Sequence, residues 1–77
     1  MNRADVVAAI TELENANPTS IYARHALVSA KTDLAAYDNP PVWHTTEHAR
    51  INLRNALQWA RSGLRRAHED DRIWPIT

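Results

Sequence analysis

The prolines of this chain limit what it can fold into more than any other feature. They stand at Pro18, Pro40, Pro41 and Pro75, and they leave three long stretches without proline. These stretches are rich in alanine, leucine, glutamate and arginine, which have high helix propensity. A proline inside a helix removes a backbone hydrogen bond and clashes with the preceding turn. The sequence therefore predicts three helices joined by short, proline-containing connections.

Length and composition narrow the class further. The chain has 77 residues, which allow one domain at most. It has no cysteine and one glycine, so it can form neither a disulfide framework nor a glycine-rich phosphate loop. Nine Lys+Arg balance nine Asp+Glu, which gives no overall attraction to nucleic acid or to an anionic membrane. The apolar stretch Val6–Thr11 is far shorter than the roughly 20 residues of a membrane span, so we expect a cytoplasmic protein.

The first helix is predicted over about residues 3–15. Asn2 is placed to cap it, and Asp5 lies in the first turn, where the helix dipole favours a carboxylate. Its apolar residues recur in steps of three and four and therefore fall on one face. This face consists of Val6, Ala9, Ile10, Leu13 and Ala16.

The second helix is predicted over about residues 18–37, with Asn17 as its cap and Pro18 as its first residue. It carries two apolar stripes on different faces. A helix with two apolar faces ordinarily packs against two neighbours, so we expect it to be the middle helix of the bundle. The first stripe is Ala23, Leu27, Ala30, Leu34 and Tyr37, and the second is Ile21, Val28 and Ala35.

The third helix is predicted over about residues 45–69, with Thr45 or Thr46 as its cap. Alanine recurs along its apolar stripe, which allows helix axes to approach closely. Glycine has low helix propensity, so we expect any kink or early end of the helix at Gly63. The stripe consists of Ala49, Leu53, Ala56, Leu57, Ala60, Leu64 and Ala67.

Together these patterns predict an all-α fold, a small antiparallel three-helix bundle packed by alanine and leucine, with residues 1–77 as a single domain. An apolar tail, residues 70–77, follows the long third helix, and its Trp74 either folds back over the apolar stripe or inserts into a partner. Trp43 is expected to plug one end of the bundle.

Valine, isoleucine and leucine total fifteen, and chains below roughly 70–80 residues usually need additional stabilisation. The thin core therefore favours regular helix packing or self-association.

The arginines of the third helix are the clearest candidate for an interaction site. Arg50, Arg54, Arg61 and Arg65, here named the arginine ridge, fall within an arc of about 60° at 100° per residue. Three interpretations are open: ion pairs inside the bundle, an acidic protein partner, or a phosphate backbone. The zero net charge argues against the last. The acids available for internal pairing are Glu12, Glu14, Asp33 and Asp38.

Trp59 and Ile51 lie away from the apolar stripe of the third helix. Trp59 points roughly opposite the arginine ridge. It either packs partly against the other helices or anchors a partner, since tryptophan and arginine dominate binding hot spots.

The string from His44 to His48, His-Thr-Thr-Glu-His, matches the His-x-x-Glu-His pattern of one group of zinc proteases. That chemistry needs a further ligand and a substrate cleft, for which 77 residues leave little room. A helix that begins at Thr45 or Thr46 would also leave His44 outside the helical spacing. We therefore expect a solvated helix start, no metal, no cofactor and no enzymatic activity.

These observations favour a non-enzymatic helical module that binds protein, either a second copy of itself or another partner. We expect an accessory or regulatory protein of bacterial or phage type. The alternative is a small nucleic-acid-binding regulator that uses the arginine ridge. The candidate partner-binding residues are Trp59, Ile51, Arg50, Arg54, Arg61, Arg65 and Trp74.

Overall fold

The computed structural model describes the backbone of residues 2–73 and the side chains of residues 2–69. This part of the chain forms three helices and no strand: α1 (Arg3–Asn15), α2 (Ile21–Asp38) and α3 (Thr46–Ile73). All three pack together, which confirms the predicted all-α three-helix bundle. None of the described helices is long and apolar enough to cross a membrane.

Helix α1 begins as its sequence predicts. The Asn2 side chain accepts a hydrogen bond from the Asp5 backbone N–H at 3.0 Å, and the Asp5 carboxylate accepts one from the Asn2 N–H at 3.1 Å. This reciprocal pair is a capping box, which satisfies two backbone donors at the helix start.

Helix α2 begins three residues later than predicted. Its cap is Ser20, whose hydroxyl oxygen accepts from the Ala23 N–H at 3.0 Å. Asn17 instead has a φ of 49°, a left-handed conformation that asparagine tolerates and that turns the chain between the helices. Asn17 and Pro18 therefore belong to the connection, and the prediction that they cap and start the helix is wrong.

The apolar faces of the three helices pack against one another, as their spacing predicts, and their buried residues form two clusters. Six of the eleven buried apolar residues are alanine, so the helix backbones come close to one another. The largest fully buried side chains are Leu13 and Val6, both from α1. The buried apolar residues are Val6, Ile10, Leu13, Ala23, Ala26, Ala30, Leu53, Ala56, Leu57, Ala60 and Ala67.

Gly63 lies in close contact with α1 and α2, and α3 continues through it in one helix. A Cβ atom built on Gly63 would lie 2.8 Å from the Ala26 Cβ on α2 and 2.8 Å from a methyl group of Leu13 on α1. The expectation that α3 ends at Gly63 is therefore wrong, while the expectation of a kink there stays a prediction. The close approach of the helices requires a glycine at this position. Helix propensity describes a single helix and therefore does not show this requirement.

Helix α3, rather than α2, is the middle helix of the bundle. It packs against both other helices, whereas the contact between α1 and α2 is the smallest of the three. The second apolar stripe of α2 faces solvent, since Ile21 is 88% and Val28 62% exposed and Ala35 is also exposed. The prediction that this stripe packs against a further helix is wrong for the described part of the chain.

Two expectations about the ends of the bundle change. Helix α3 extends to Ile73, four residues beyond the predicted end. Trp74 and the side chains of the predicted tail, residues 70–77, lie outside the described residues. Trp43 does not plug the bundle, since it is 69% exposed and packs edge-on against His44 and His48.

Candidate functional site

The arginine ridge lies on the exposed side of α3, and its first member is already paired. The Arg50 guanidinium donates to the Glu47 carboxylate, with its Nε 3.3 Å from Oε2. This hydrogen bond is the main reason that the pKa of Glu47 is lowered, and the attraction of Arg50 adds to it. Arg50 therefore carries a charge that its own helix has neutralised.

Arg54, Arg61 and Arg65, the unpaired arginines of the ridge, make no ion pair with any residue whose side chain the structure describes. All three are exposed. They differ in this respect from Arg50, and their guanidinium groups are available to a partner.

The acids expected to pair with the ridge are engaged elsewhere or alone. Asp38 forms a two-point contact with Arg3 at 2.7 Å, and this hydrogen bonding lowers the pKa of Asp38. Glu14 pairs with Lys31 at 2.9 Å. Asp33 is half-buried, and burial raises its pKa. The ion pairs of Asp38 and Glu14 join α1 to α2, and among the described residues no acid of these two helices pairs with the ridge.

A groove runs beside the unpaired arginines on α3. It has a volume of about 540 Å³ and is lined by Arg61, Leu64, Arg65, His68 and Glu69. Leu64 is half-buried and supplies the apolar surface of this groove, while the arginine side chains supply positive charge along it. The surface therefore combines a small apolar floor with walls that carry two arginines, one histidine and one glutamate.

Trp59 lies on the other flank of α3, where it packs partly against the core. Its indole meets the His25 imidazole edge-on, with ring centroids 5.4 Å apart and planes at 87°. The remaining side of Trp59 lines a groove of about 370 Å³ together with Tyr22. This groove, here named the aromatic groove, is completed by Asn55, Gln58 and Ser62.

The two interpretations of Trp59 thus describe different sides of one residue. One side packs against α2, and another lines a groove that the bundle does not fill. Ile51 is half-buried and does not line the aromatic groove. The Arg66 guanidinium lies over the Tyr22 ring, 5.6 Å from its centroid, in a cation–π contact.

The histidine pattern forms a helix start rather than a zinc ligand set. Thr45 precedes α3, its backbone N–H donates to the His48 Nδ1 at 3.0 Å, and its hydroxyl oxygen accepts from the His48 N–H at 3.4 Å. The His48 Nδ1 is thus engaged by the backbone at the helix start. Glu47 is turned to Arg50, and His44 stacks on His48 at 4.9 Å.

The described residues contain no cluster of three or more His, Cys, Asp or Glu side chains that could hold a metal ion. Thr45 and His48 instead form a capping box in which histidine takes the place that glutamate or glutamine ordinarily fills. The Thr-x-x-His spacing is the signal that could have identified this capping box in the sequence.

Sequence reasoning found Trp59 but missed Tyr22 and His25, which complete its surroundings. They lie three residues apart on α2 and therefore on neighbouring positions of one face. Their proximity to Trp59 depends on how α2 and α3 are aligned, which spacing within one helix does not determine.

Comparison of the chain with protein-family models, with curated proteins and with solved structures finds no match.

Proposed function

We propose that this chain is a non-enzymatic protein-binding module that acts by association with a second copy of itself or with another protein. The observation that carries the proposal is the aromatic groove, in which Tyr22 and Trp59 present ring surface that the bundle leaves uncovered. Tyrosine, tryptophan and arginine are enriched at protein interfaces, where a rigid aromatic side chain contributes a large contact area.

The polar residues around the aromatic groove support the same function. Asn55, Gln58 and Ser62 carry amide and hydroxyl groups that can both donate and accept hydrogen bonds. An uncharged hydrogen-bonding rim around an aromatic centre resembles the arrangement of protein interfaces, in which apolar anchors are bordered by polar groups. The alanine-rich core adds a second reason, since association would bury surface that this small bundle cannot bury alone.

A cytoplasmic accessory or regulatory role of bacterial or phage type belongs to this proposal. It is supported by the small size of the chain, by its lack of cysteine and by a surface organised around grooves rather than around a cluster of catalytic groups.

The test is a substitution at the edge of the aromatic groove. Gln58 is exposed, so Gln58→Arg should obstruct the groove without disturbing the core. Ala8→Arg, at an exposed position on α1, is the matched control with the same added side chain. Self-association is measured by sedimentation velocity over a range of concentrations, and other partners by capture from a nuclease-treated lysate of the source organism.

We expect the wild-type protein to self-associate or to retain a protein partner, Gln58→Arg to lose this association, and Ala8→Arg to keep it. A wild-type chain that stays monomeric and captures no protein would contradict the proposal. Association that Gln58→Arg leaves unchanged would show that the aromatic groove is not the interface.

Nucleic-acid binding through the arginine ridge is the second candidate function. It is supported by Arg54, Arg61 and Arg65, which have no ion pair among the described residues. It predicts an affinity that falls steeply with salt, because each phosphate contact releases a counterion. It also predicts that replacing Arg54 and Arg61 by glutamate abolishes binding while the circular dichroism spectrum is unchanged.

A further inference from the structure

We infer that Arg54, Arg61 and Arg65 bind an acidic α-helical segment of a partner protein. The inference rests on the proposed protein-binding function and names the chemistry of one partner. It concerns the ridge side of α3, and it is therefore tested separately from the aromatic groove.

Charge complementarity is the first argument for an acidic partner. Among the described residues, Arg3, Lys31 and Arg50 each hold a carboxylate within 2.9 Å, whereas Arg54, Arg61 and Arg65 hold none. Guanidinium groups bind carboxylates through two parallel hydrogen bonds, which suits a partner that presents aspartate or glutamate. Glu69 lines the same groove but forms no ion pair with Arg61 or Arg65 among the described side chains, so these guanidinium groups are available to the carboxylates of a partner.

The spacing of the three arginines is the second argument, because it matches another helix. At 1.5 Å per residue, Arg54 and Arg61 are about 10.5 Å apart along the α3 axis, and Arg61 and Arg65 are about 6 Å apart. An antiparallel helix with acids at i, i+4 and i+11 has the same spacings in the same order. These three positions also share one face of that helix, within an arc of about 40°.

The apolar floor of the ridge groove favours a protein segment over a nucleic acid. Leu64 lies between Arg61 and Arg65 in this groove and offers contact to an apolar side chain at i+3 of the partner helix. A phosphate backbone has no apolar group to place there. Trp59 lines a different groove, while Tyr22 borders both that groove and a pocket that includes Arg65. The apolar contact at Leu64 is therefore the observation that favours a protein segment.

The experiment uses three synthetic helical peptides and the full chain. The first peptide carries glutamate at i, i+4 and i+11 and leucine at i+3 in an alanine- and glutamine-based helix of about five turns. The second has the same composition and charge, with the glutamates moved to different faces. The third has glutamine at the three glutamate positions. Binding of labelled peptide is followed by fluorescence anisotropy, and a labelled single-stranded RNA oligonucleotide is titrated in parallel.

Two arginine variants test which residues bind. Arg61→Gln should raise the dissociation constant of the first peptide by about two- to fivefold, the range for one exposed ion pair. Arg50→Gln is the matched control on the same helix, and it should leave the dissociation constant unchanged because Arg50 is already paired with Glu47. Circular dichroism of both variants establishes that they fold.

Preferential binding of the first peptide over the other two, weakened by Arg61→Gln and not by Arg50→Gln, would support the inference. Equal binding of the two acidic peptides would overturn it, since net charge alone would then suffice. Tighter binding of the RNA than of the first peptide would overturn it in favour of nucleic acid. If the peptide fails to bind while Gln58→Arg still abolishes association, this inference is wrong and the proposed function stands.

Discussion

Replacement of Gly63 by alanine tests the central feature of the packing. In an isolated helix this change is stabilising, because glycine is about 1 kcal/mol less favourable than alanine in a helix interior. In this bundle the added methyl group would lie 2.8 Å from the Ala26 Cβ and 2.8 Å from a Leu13 methyl carbon. The two effects have opposite signs, so their balance reports how closely the helices approach.

The structure indicates that the packing effect is the larger. The Leu13 side chain can rotate away at modest cost, but the Ala26 Cβ is attached directly to the α2 backbone, so relief there requires the helices to separate. Added methyl groups in a well-packed core typically cost about 1–3 kcal/mol. After the gain in helix propensity is subtracted, we expect Gly63→Ala to lower the free energy of unfolding by up to about 2 kcal/mol.

The assay is urea denaturation followed by circular dichroism, applied to a double-mutant cycle. Gly63→Ala and Ala26→Gly are measured singly and together, since the double variant moves the methyl group from one side of the contact to the other. Residues in direct contact show coupling free energies of about 0.5–3 kcal/mol, and we expect the double variant to be more stable than the sum of the single effects predicts. A Gly63→Ala protein at least as stable as the wild type, with additive effects in the cycle, would refute the close approach at Gly63.

Three further predictions concern charge and capping. Burial raises the pKa of Asp33, so its charged form destabilises the fold near neutral pH, and Asp33→Asn should raise the free energy of unfolding there. Urea denaturation should show that this gain vanishes below the ordinary aspartate pKa. The coupling between Arg3 and Asp38 in a double-mutant cycle should be present at neutral pH and lost as the pH falls through the lowered pKa of Asp38. His48→Ala should cost about 1 kcal/mol in thermal denaturation. His48→Gln should restore the lost stability, because glutamine can also accept from the Thr45 N–H; equal stabilities of the two variants would contradict the capping role.

The helices and their buried faces could be predicted because both follow from short-range spacing. Apolar residues at steps of three and four define a face whatever that face packs against, and the faces of Val6, Leu13, Leu53 and Ala60 are buried as expected. The capping box at Asn2 could be predicted for the same reason, since all its atoms belong to one helical turn.

The arrangement of the helices could not be predicted from spacing alone. The apolar stripe that includes Ile21 and Val28 suggested two neighbours for α2, yet it faces solvent, because helix spacing does not state which apolar stripe will be covered. Gly63 suggested a weak point in α3 because glycine has low helix propensity. Helix propensity describes a helix in isolation, whereas the benefit of this glycine arises from α1 and α2 on either side of it.

The same distinction between features within one helix and features between helices applies to the candidate site. The arginine ridge could be predicted from the sequence because its members share one helix. Which acids of the other helices lie close enough to pair with it depends instead on distances between helices. Asp38 lies beside Arg3 rather than beside the ridge because α1 and α2 run antiparallel. The aromatic groove depends on the alignment of Tyr22 on α2 with Trp59 on α3, which spacing within one helix does not predict.

The packing of α3 also explains why its surface carries the candidate site. Alanine and glycine at Ala56, Ala60, Gly63 and Ala67 let the neighbouring helices contact α3 along a narrow stripe, so much of its circumference stays uncovered. A helix held by large side chains would need a wider apolar face and would leave less room for other groups. The small residues therefore have two consequences: they bring the three backbones together, and they leave two flanks of α3 available, one with the unpaired arginines and one with Trp59. If separation of the helices in Gly63→Ala also weakens binding of the acidic peptide, the arrangement of the unpaired arginines depends on this packing; unchanged binding would show that α3 alone sets it.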